Sequence, residues 1–285
     1  MTIEILAGKQ NPDGGWPFVR GASWTEPTVY SVLAMLAAGE NQRAGHGLRW
    51  IRRVERSDGG FSPQAGVAES SWVTALVALL PPEELGISAH ERAIRWLLRT
   101  TGYESAPVYR VRQWLLGIPR PPEQAFAGWP WTPGATAWVG PTSLAILALE
   151  KEGRRRPSAE IARRIAEGRR FLVTRTCAEG GWNHGAPRAL GYESGPYPET
   201  TGMALTALGG VDTPEVRRAI GLARRFLAGS RSADAINWLG LGLMAHGEMP
   251  AGYRRPAGVE CRTLPETSLA MLIGEVQKGR DVLWG

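Results

Sequence analysis

Cysteine is nearly missing: two residues in 285. That excludes a disulfide scaffold and fits a reducing, cytoplasmic setting. Aspartate is scarce, with five residues at 13, 58, 212, 234 and 281 against 22 Glu. Lysine is scarcer still, three against 30 Arg. No apolar run reaches the roughly 18 residues that a membrane span needs. The opening MTIEILAGKQNPDGG carries neither a basic start nor a long apolar stretch, so no signal peptide is expected. Apolar residues make up 43% of the chain and charged residues 21%, a balance that excludes disorder and allows a large core.

The formal net charge is +6. Arginines come in pairs on helical stretches: Arg52–Arg53, Arg163–Arg164, Arg169–Arg170, Arg217–Arg218 and Arg224–Arg225. They read as the solvated outer faces of several helices. No aromatic–basic motif accompanies them, so no nucleic-acid partner is expected. Peripheral contact with an anionic membrane surface stays open as the sharper reading.

The strongest signal is internal repetition. Residues 14–28 read GGWPFVRGASWTEPT and residues 128–142 read GWPWTPGATAWVGPT. Each leads into an apolar run, at 29–39 and 143–153. Looser copies begin with DGGF at 58–61, leading to 69–81, and with EGGW at 179–182, leading to 199–210. A last run, ETSLAMLIG at 266–274, lacks the glycine loop. These runs are rich in Ala and Leu and poor in β-branched residues, which predicts short helices buried on all sides. A further buried helix is expected over 234–246. Between them, residues 44–56, 87–100, 158–175 and 214–228 repeat apolar residues at three- and four-residue spacing, as outer helices with one wet face.

About six inner helices alternating with outer ones predict a single all-α domain over 1–285, closed as an α/α toroid, with a straight solenoid as the rival. The segment 101–126 breaks the rhythm: RVRQWLLG suits a short helix, and PRPP marks a loop.

Glycine–glycine–aromatic loops followed by Glu-Thr and an Ala/Leu helix resemble the repeats of squalene–hopene and terpene cyclases and of protein prenyltransferase β subunits. The resemblance spans about 11–275. GGWNHG at 180–185 with YPETT at 197–201 is closest to bacterial members that lack DxDD. The resemblance implies a central apolar cavity used for a hydrophobic, isoprenoid-type substrate. The class II proton-donor motif DxDD is absent, and proline stands where the donor would be in Pro196-Tyr197-Pro198-Glu199-Thr200. No DDxxD for a diphosphate is present. Zinc on Cys177, His184 and Cys261 is geometrically conceivable, but no CxxC or HxxxH spacing supports it, so no metal or cofactor is expected.

Glu26, Glu69, Glu199 and Glu266 share the place before an inner helix's first turn, and Gly140 holds it in the third copy. Each Glu reads either as a helix-end carboxylate or as a catalytic acid or base at a shared mouth. Glu199 is the strongest catalytic candidate. Trp24, Trp138, Trp182, Tyr197, His184, Asp234 and Asn237 are the candidate substrate contacts. Trp16, Trp129 and Trp182 also read as plugs between helices, and Trp50, Trp72, Trp96 and Trp114 as core. His46 and His90 are expected at the surface, and His246 as a partner of a helix C-terminus. Two other classes remain: a carbohydrate-active toroid enzyme, and a non-catalytic hydrophobic-ligand or partner-binding toroid.

Overall fold

The computed structural model describes residues 3–119, 121, 124–189, 192–250 and 253–279. Among these, the regular structure is helical apart from two short strands. The helices are α1 (Ile3–Gly8), α2 (Thr25–Ala37), α3 (Asn41–Arg53), α4 (Val73–Val77), α5 (Pro82–Leu85), α6 (Ile87–Arg99), α7 (Pro107–Leu115), α8 (Val139–Arg155), α9 (Ala159–Thr174), α10 (Pro198–Ala207), α11 (Pro214–Gly229), α12 (Ala233–Ala245) and α13 (Leu264–Gln277). Two short strands, β1 (Arg188–Ala189) and β2 (Tyr192–Glu193), pair antiparallel. The chain forms two compact units. Unit 1 comprises Met1–Arg99, Ala148–Arg156 and Glu260–Gly285; unit 2 comprises Thr100–Leu147 and Pro157–Val259.

In unit 1, α2 is buried on nearly every side, from Thr25 through Met35 with only Glu26 part-exposed. It packs against α3, α4 and α13, and Ser31 and Ser268 hydroxyls meet at 3.2 Å across the α2–α13 contact. Helices α3 and α6 bury one stripe each, Leu48, Trp50 and Ile51 in the first, Ala93, Ile94, Trp96 and Leu97 in the second. This is the expected division into all-buried and amphipathic helices.

In unit 2, α10 and α12 run with their backbones in contact. A Cβ on Gly202 would stand 2.3 Å from the Trp238 carbonyl carbon, and one on Gly242 would stand 2.7 Å from the Gly202 oxygen. Only glycine permits that approach. Helix α11 packs on both through Val216, Ala219, Leu222 and Ala223.

The repeat has a physical basis in both units. The aromatic after the loop glycines is fully enclosed in all four copies: Trp16, Phe61, Trp129 and Trp182. Its backbone N–H donates to a threonine Oγ1 in the following buried helix. The pairs are Trp16–Thr28 at 2.9 Å, Phe61–Thr74 at 2.8 Å, Trp129–Thr142 at 2.9 Å and Trp182–Thr201 at 3.1 Å. A buried amide needs a partner, and this threonine supplies it. The first two copies add a carboxylate. Asp13 accepts from Gly15 N–H, Ser23 Oγ and Trp50 Nε1, and Asp58 accepts from Gly60 N–H, Ser70 Oγ and Trp96 Nε1. Two of the five aspartates are thus loop braces.

The structure departs from the sequence pattern at several residues. The second copy's helix is only Val73–Val77: tight turns bound it on both sides, with Thr74 N–H on the Ser71 carbonyl before it and Leu79 and Leu80 N–H on the Leu76 and Val77 carbonyls after it, and Pro81 follows. Arg164 is buried rather than solvated. Its guanidinium lies 3.9 Å from the centre of the Trp129 ring, pairs with Glu167 at 2.8 Å and donates to the Thr100 carbonyl. His90 is buried, with Nε2 3.0 Å from the Ala78 carbonyl. Trp114 is exposed rather than core. In the PRPP stretch, Arg120 and Pro122 lie outside the described residues, as does Asp281.

Candidate functional site

Loop length singles out one copy. From the enclosed aromatic to its threonine partner, the first three copies span 12, 13 and 13 residues. The fourth, from Trp182 to Thr201, spans 19. Insertions on single repeats of an array map to loops on one face, which is often the binding face.

This loop is built, not slack. Asn183 is buried, accepts the Gly185 N–H at 2.8 Å and donates to the Ala186 carbonyl at 3.0 Å. That clip leaves the His184 side chain exposed. The His184 carbonyl accepts the Val139 N–H at 2.9 Å, which fastens the loop to the first turn of α8. Ser194 N–H closes the base of the β1–β2 pair on the Pro187 carbonyl at 2.8 Å. Tyr197 N–H returns to the Trp182 carbonyl at 2.8 Å and starts α10.

The loop gathers an aromatic group at the N-terminal ends of α8 and α10. The His184 and Tyr197 rings are 5.2 Å apart. Trp138, half-buried, lies in ordinary contact distance of the Gly185 backbone, 3.8 Å from where its Cβ would be. Trp131 and Met203 flank Gly140. Glu199 is the second residue of α10 and is half-buried. Among the described residues its carboxylate has no hydrogen-bond or ion-pair partner.

The other candidates are placed differently. Glu266 completes a capping box: its N–H donates to Thr263 Oγ1, and its carboxylate accepts the Thr263 and Arg262 amides. That carboxylate is spent on the helix end. Glu69 stands exposed in a loop ahead of α4, not in a helix turn. Glu26 is the second residue of α2, part-exposed like Glu199. Trp24 follows the first-copy loop, partly exposed, with its ring 5.8 Å from Phe18. Trp182 offers no face to a ligand: it is wholly buried and its indole N–H donates to the Leu172 carbonyl at 2.7 Å. Asn237 is buried and accepts from Arg255, and Asp234 lies part-exposed in the first turn of α12. His246 follows α12, but its Nε2 meets the Leu205 carbonyl and burial lowers its pKa, so it is no cationic partner of the helix end. Trp131, Met203 and Arg255 were not singled out by sequence; the repeated Trp-Pro-aromatic, at 16–18 and 129–131, was the available signal for the first.

Cys177 occupies the turn position that Asn11 and Arg56 hold in earlier copies: its N–H bonds the Gly181 carbonyl and its carbonyl takes the Gly180 N–H, both at 2.9 Å. Burial pushes its thiol pKa up, the opposite of what a thiolate ligand needs. Cys261 lies in the loop before α13, half-buried. Among the described residues no cluster of three or more His, Cys, Asp or Glu is placed to hold a metal ion. No described helix is long and apolar enough to cross a membrane.

No family model and no curated protein matches the chain. Solved structures do. A GH8 endo-beta-1,4-glucanase from an Achatina fulica gut metagenomic library superposes with a TM-score of 0.59 at 13% identity, over 96% of this chain and 97% of the other. A protein from Actinoplanes gives 0.52 at 18% identity, over 96% and 81%. A type II terpene cyclase from Scytonema gives 0.43 at 16% identity, over 99% and 96%. The fold class is the all-α, α/α-toroid class. At these identities the likeness reaches the fold and no further.

Proposed function

We propose that the chain is a single α/α-toroid domain that takes a hydrophobic, isoprenoid-type substrate at the fourth-copy loop, with Glu199 as its acid or base. The observation that carries this reading is the contrast between two carboxylates at helix starts. Glu266 is consumed by a capping box, whereas Glu199 is half-buried, without a partner, and in the segment that brings Tyr197 and His184 together. A half-buried carboxylate free of backbone donors can exchange a proton with a ligand. The faces of Trp138 and Tyr197 suit a cation developing on an unsaturated chain. The resemblance of the glycine–aromatic repeats supports the substrate class. The glycine, aromatic and threonine residues that carry it build the loop–helix bonds, so the chemistry falls to Glu199 and the side chains of the long fourth loop.

A second reading is a carbohydrate-active enzyme. It is favoured by the openness of the same rings, Tyr197 being 50% exposed, since exposed aromatic faces stack on sugars. It requires a second carboxylate at a defined separation from Glu199.

The test is turnover of linear polyprenyl substrates and of β-glucan oligosaccharides by the wild type and by Glu199→Gln. The expected result is loss of isoprenoid conversion in Glu199→Gln with the melting temperature kept. Glucan cleavage by the wild type would replace the first reading with the second. Binding of isoprenoid without conversion would leave a carrier.

A further inference from the structure

Helix α7 is turned inside out. Its inward residues are polar: Gln113 is buried, and Tyr109 is half-buried with its ring 4.7 Å from Tyr103. Its outward residues are apolar: Val108 is 82% exposed, Trp114 78% and Leu115 69%, with Val111 beside them and Leu116 and Ile118 in the following turn. At about 100° per residue, Trp114, Val111, Leu115 and Val108 fall in one sector. Arg110 and Arg112, both exposed, border that sector on its two sides. A contiguous apolar patch of this kind marks an interaction surface.

Charge decides what covers it. Residues 105–119 contain two arginines and no Asp or Glu. The adjacent Glu104 is buried, with both oxygens accepting the Ala137 N–H and a contact to Arg175 at 3.8 Å, so it is no counter-ion for the patch. A second copy docked on the same face would set four arginines together with no carboxylate among them. An anionic lipid surface meets both halves of the pattern: acyl chains take the apolar sector and headgroups take the arginines. Tryptophan also favours that interface. We propose that α7 and its following turn form a docking element that lies in the headgroup layer of an anionic membrane.

The test is flotation of the full chain with vesicles of phosphatidylcholine alone and of phosphatidylcholine with phosphatidylglycerol. The protein is expected to float with the anionic vesicles and to remain behind with the neutral ones. Replacing Arg110 and Arg112 by Gln should weaken anionic-vesicle binding by about thirtyfold. Val111→Asp with Leu115→Asp should abolish it with an unchanged melting temperature, since both side chains are outside the core. Wild type that stays behind with anionic vesicles overturns the proposal, as does binding that survives the arginine changes. A dimer in sedimentation velocity that the aspartate changes split, without vesicle binding, would assign the patch to a second copy instead.

Discussion

The His184 carbonyl accepts the Val139 amide at 2.9 Å, so the longest of the four repeat loops is fastened to the start of α8. The same loop is fixed at its two ends by Trp182 and Thr201. Two bonds, one closing the loop's ends and one tying it to α8, hold its backbone in place, which is what positioning of reactive groups requires. The exposed His184 and Tyr197 rings and the Glu199 carboxylate are held by backbone bonds and not by their own side chains, which leaves those side chains to a ligand.

The loop–helix threonines give a direct stability prediction. Thr201→Val keeps the shape but removes the acceptor for the Trp182 amide, which is buried beyond reach of water. An orphaned buried donor costs about 1–3 kcal/mol. Thr142→Val should cost a similar amount through Trp129. Urea denaturation with an unchanged slope measures it, and a loss under about 0.5 kcal/mol in both would show that the bond contributes nothing.

Gly202→Ala should be worse. The new methyl would meet the α12 backbone at Trp238 and Leu239, where no side-chain rotation can relieve it. Overpacking against a side chain costs about 1–3 kcal/mol, and backbone contact belongs at the upper end or above. The control is Gly221→Ala in α11, where nothing lies within 4 Å. That change should stabilise by about 0.5–1 kcal/mol through helix propensity. Equal melting temperatures for the two variants would contradict the α10–α12 contact.

The repeats were legible because glycine, aromatic and threonine recur for a backbone reason: a tight turn, an enclosed ring and an acceptor for its amide. The division into buried and amphipathic helices was legible from apolar spacing. What spacing does not encode is which face of a helix is turned inward. Hence Trp114 reads as core yet is exposed, and Arg164 and His90 read as surface yet are buried. The shortness of α4 goes with tight turns on either side of it, Ser71 to Thr74 and Leu76 to Leu80, which no periodicity reports. At the candidate site the polar and aromatic richness around Glu199 was visible. The capping role of Glu266 was not separable from it without the Thr263 geometry.

Buried histidine sets a pH dependence. The pKa of His90 is lowered from 6.5, first by burial, which disfavours the charged ring; the bond to the Ala78 carbonyl opposes the shift. His246 is lowered for the same main reason. In the unfolded chain both rings take up a proton below about 6.5. The folded chain resists it, so the unfolded state binds more protons in that window. The stability contributed is complete above pH 6.5 and is lost as pH falls through the lowered folded values. Melting temperature should therefore drop from pH 7.5 to pH 5.5. His90→Gln keeps a donor for Ala78 and removes the titration, so the slope should flatten. A slope unchanged in His90→Gln and His246→Gln together would place the pH response elsewhere.

The fourth loop can be cut back to the length of its relatives. It exceeds the second and third by six residues, 19 against 13, and the segment 188–193 that carries β1 and β2 is six residues long. The flanking Pro187 and Ser194 are already joined by a 2.8 Å backbone bond, so deletion asks little of the chain on either side. The ion pair inside the segment, Arg188 with Glu193, is exposed and contributes under about 1 kcal/mol. The shortened protein should fold with its stability within about 1 kcal/mol of the parent, since loop shortening changes closure entropy only slightly. If the strands help to enclose the ligand, its affinity should fall while the Trp182–Thr201 anchor and the helical circular dichroism persist. A deletion that unfolds the protein would show that the strand pair is a structural brace, and a deletion that leaves binding intact would confine the site to His184, Tyr197, Glu199 and Trp138.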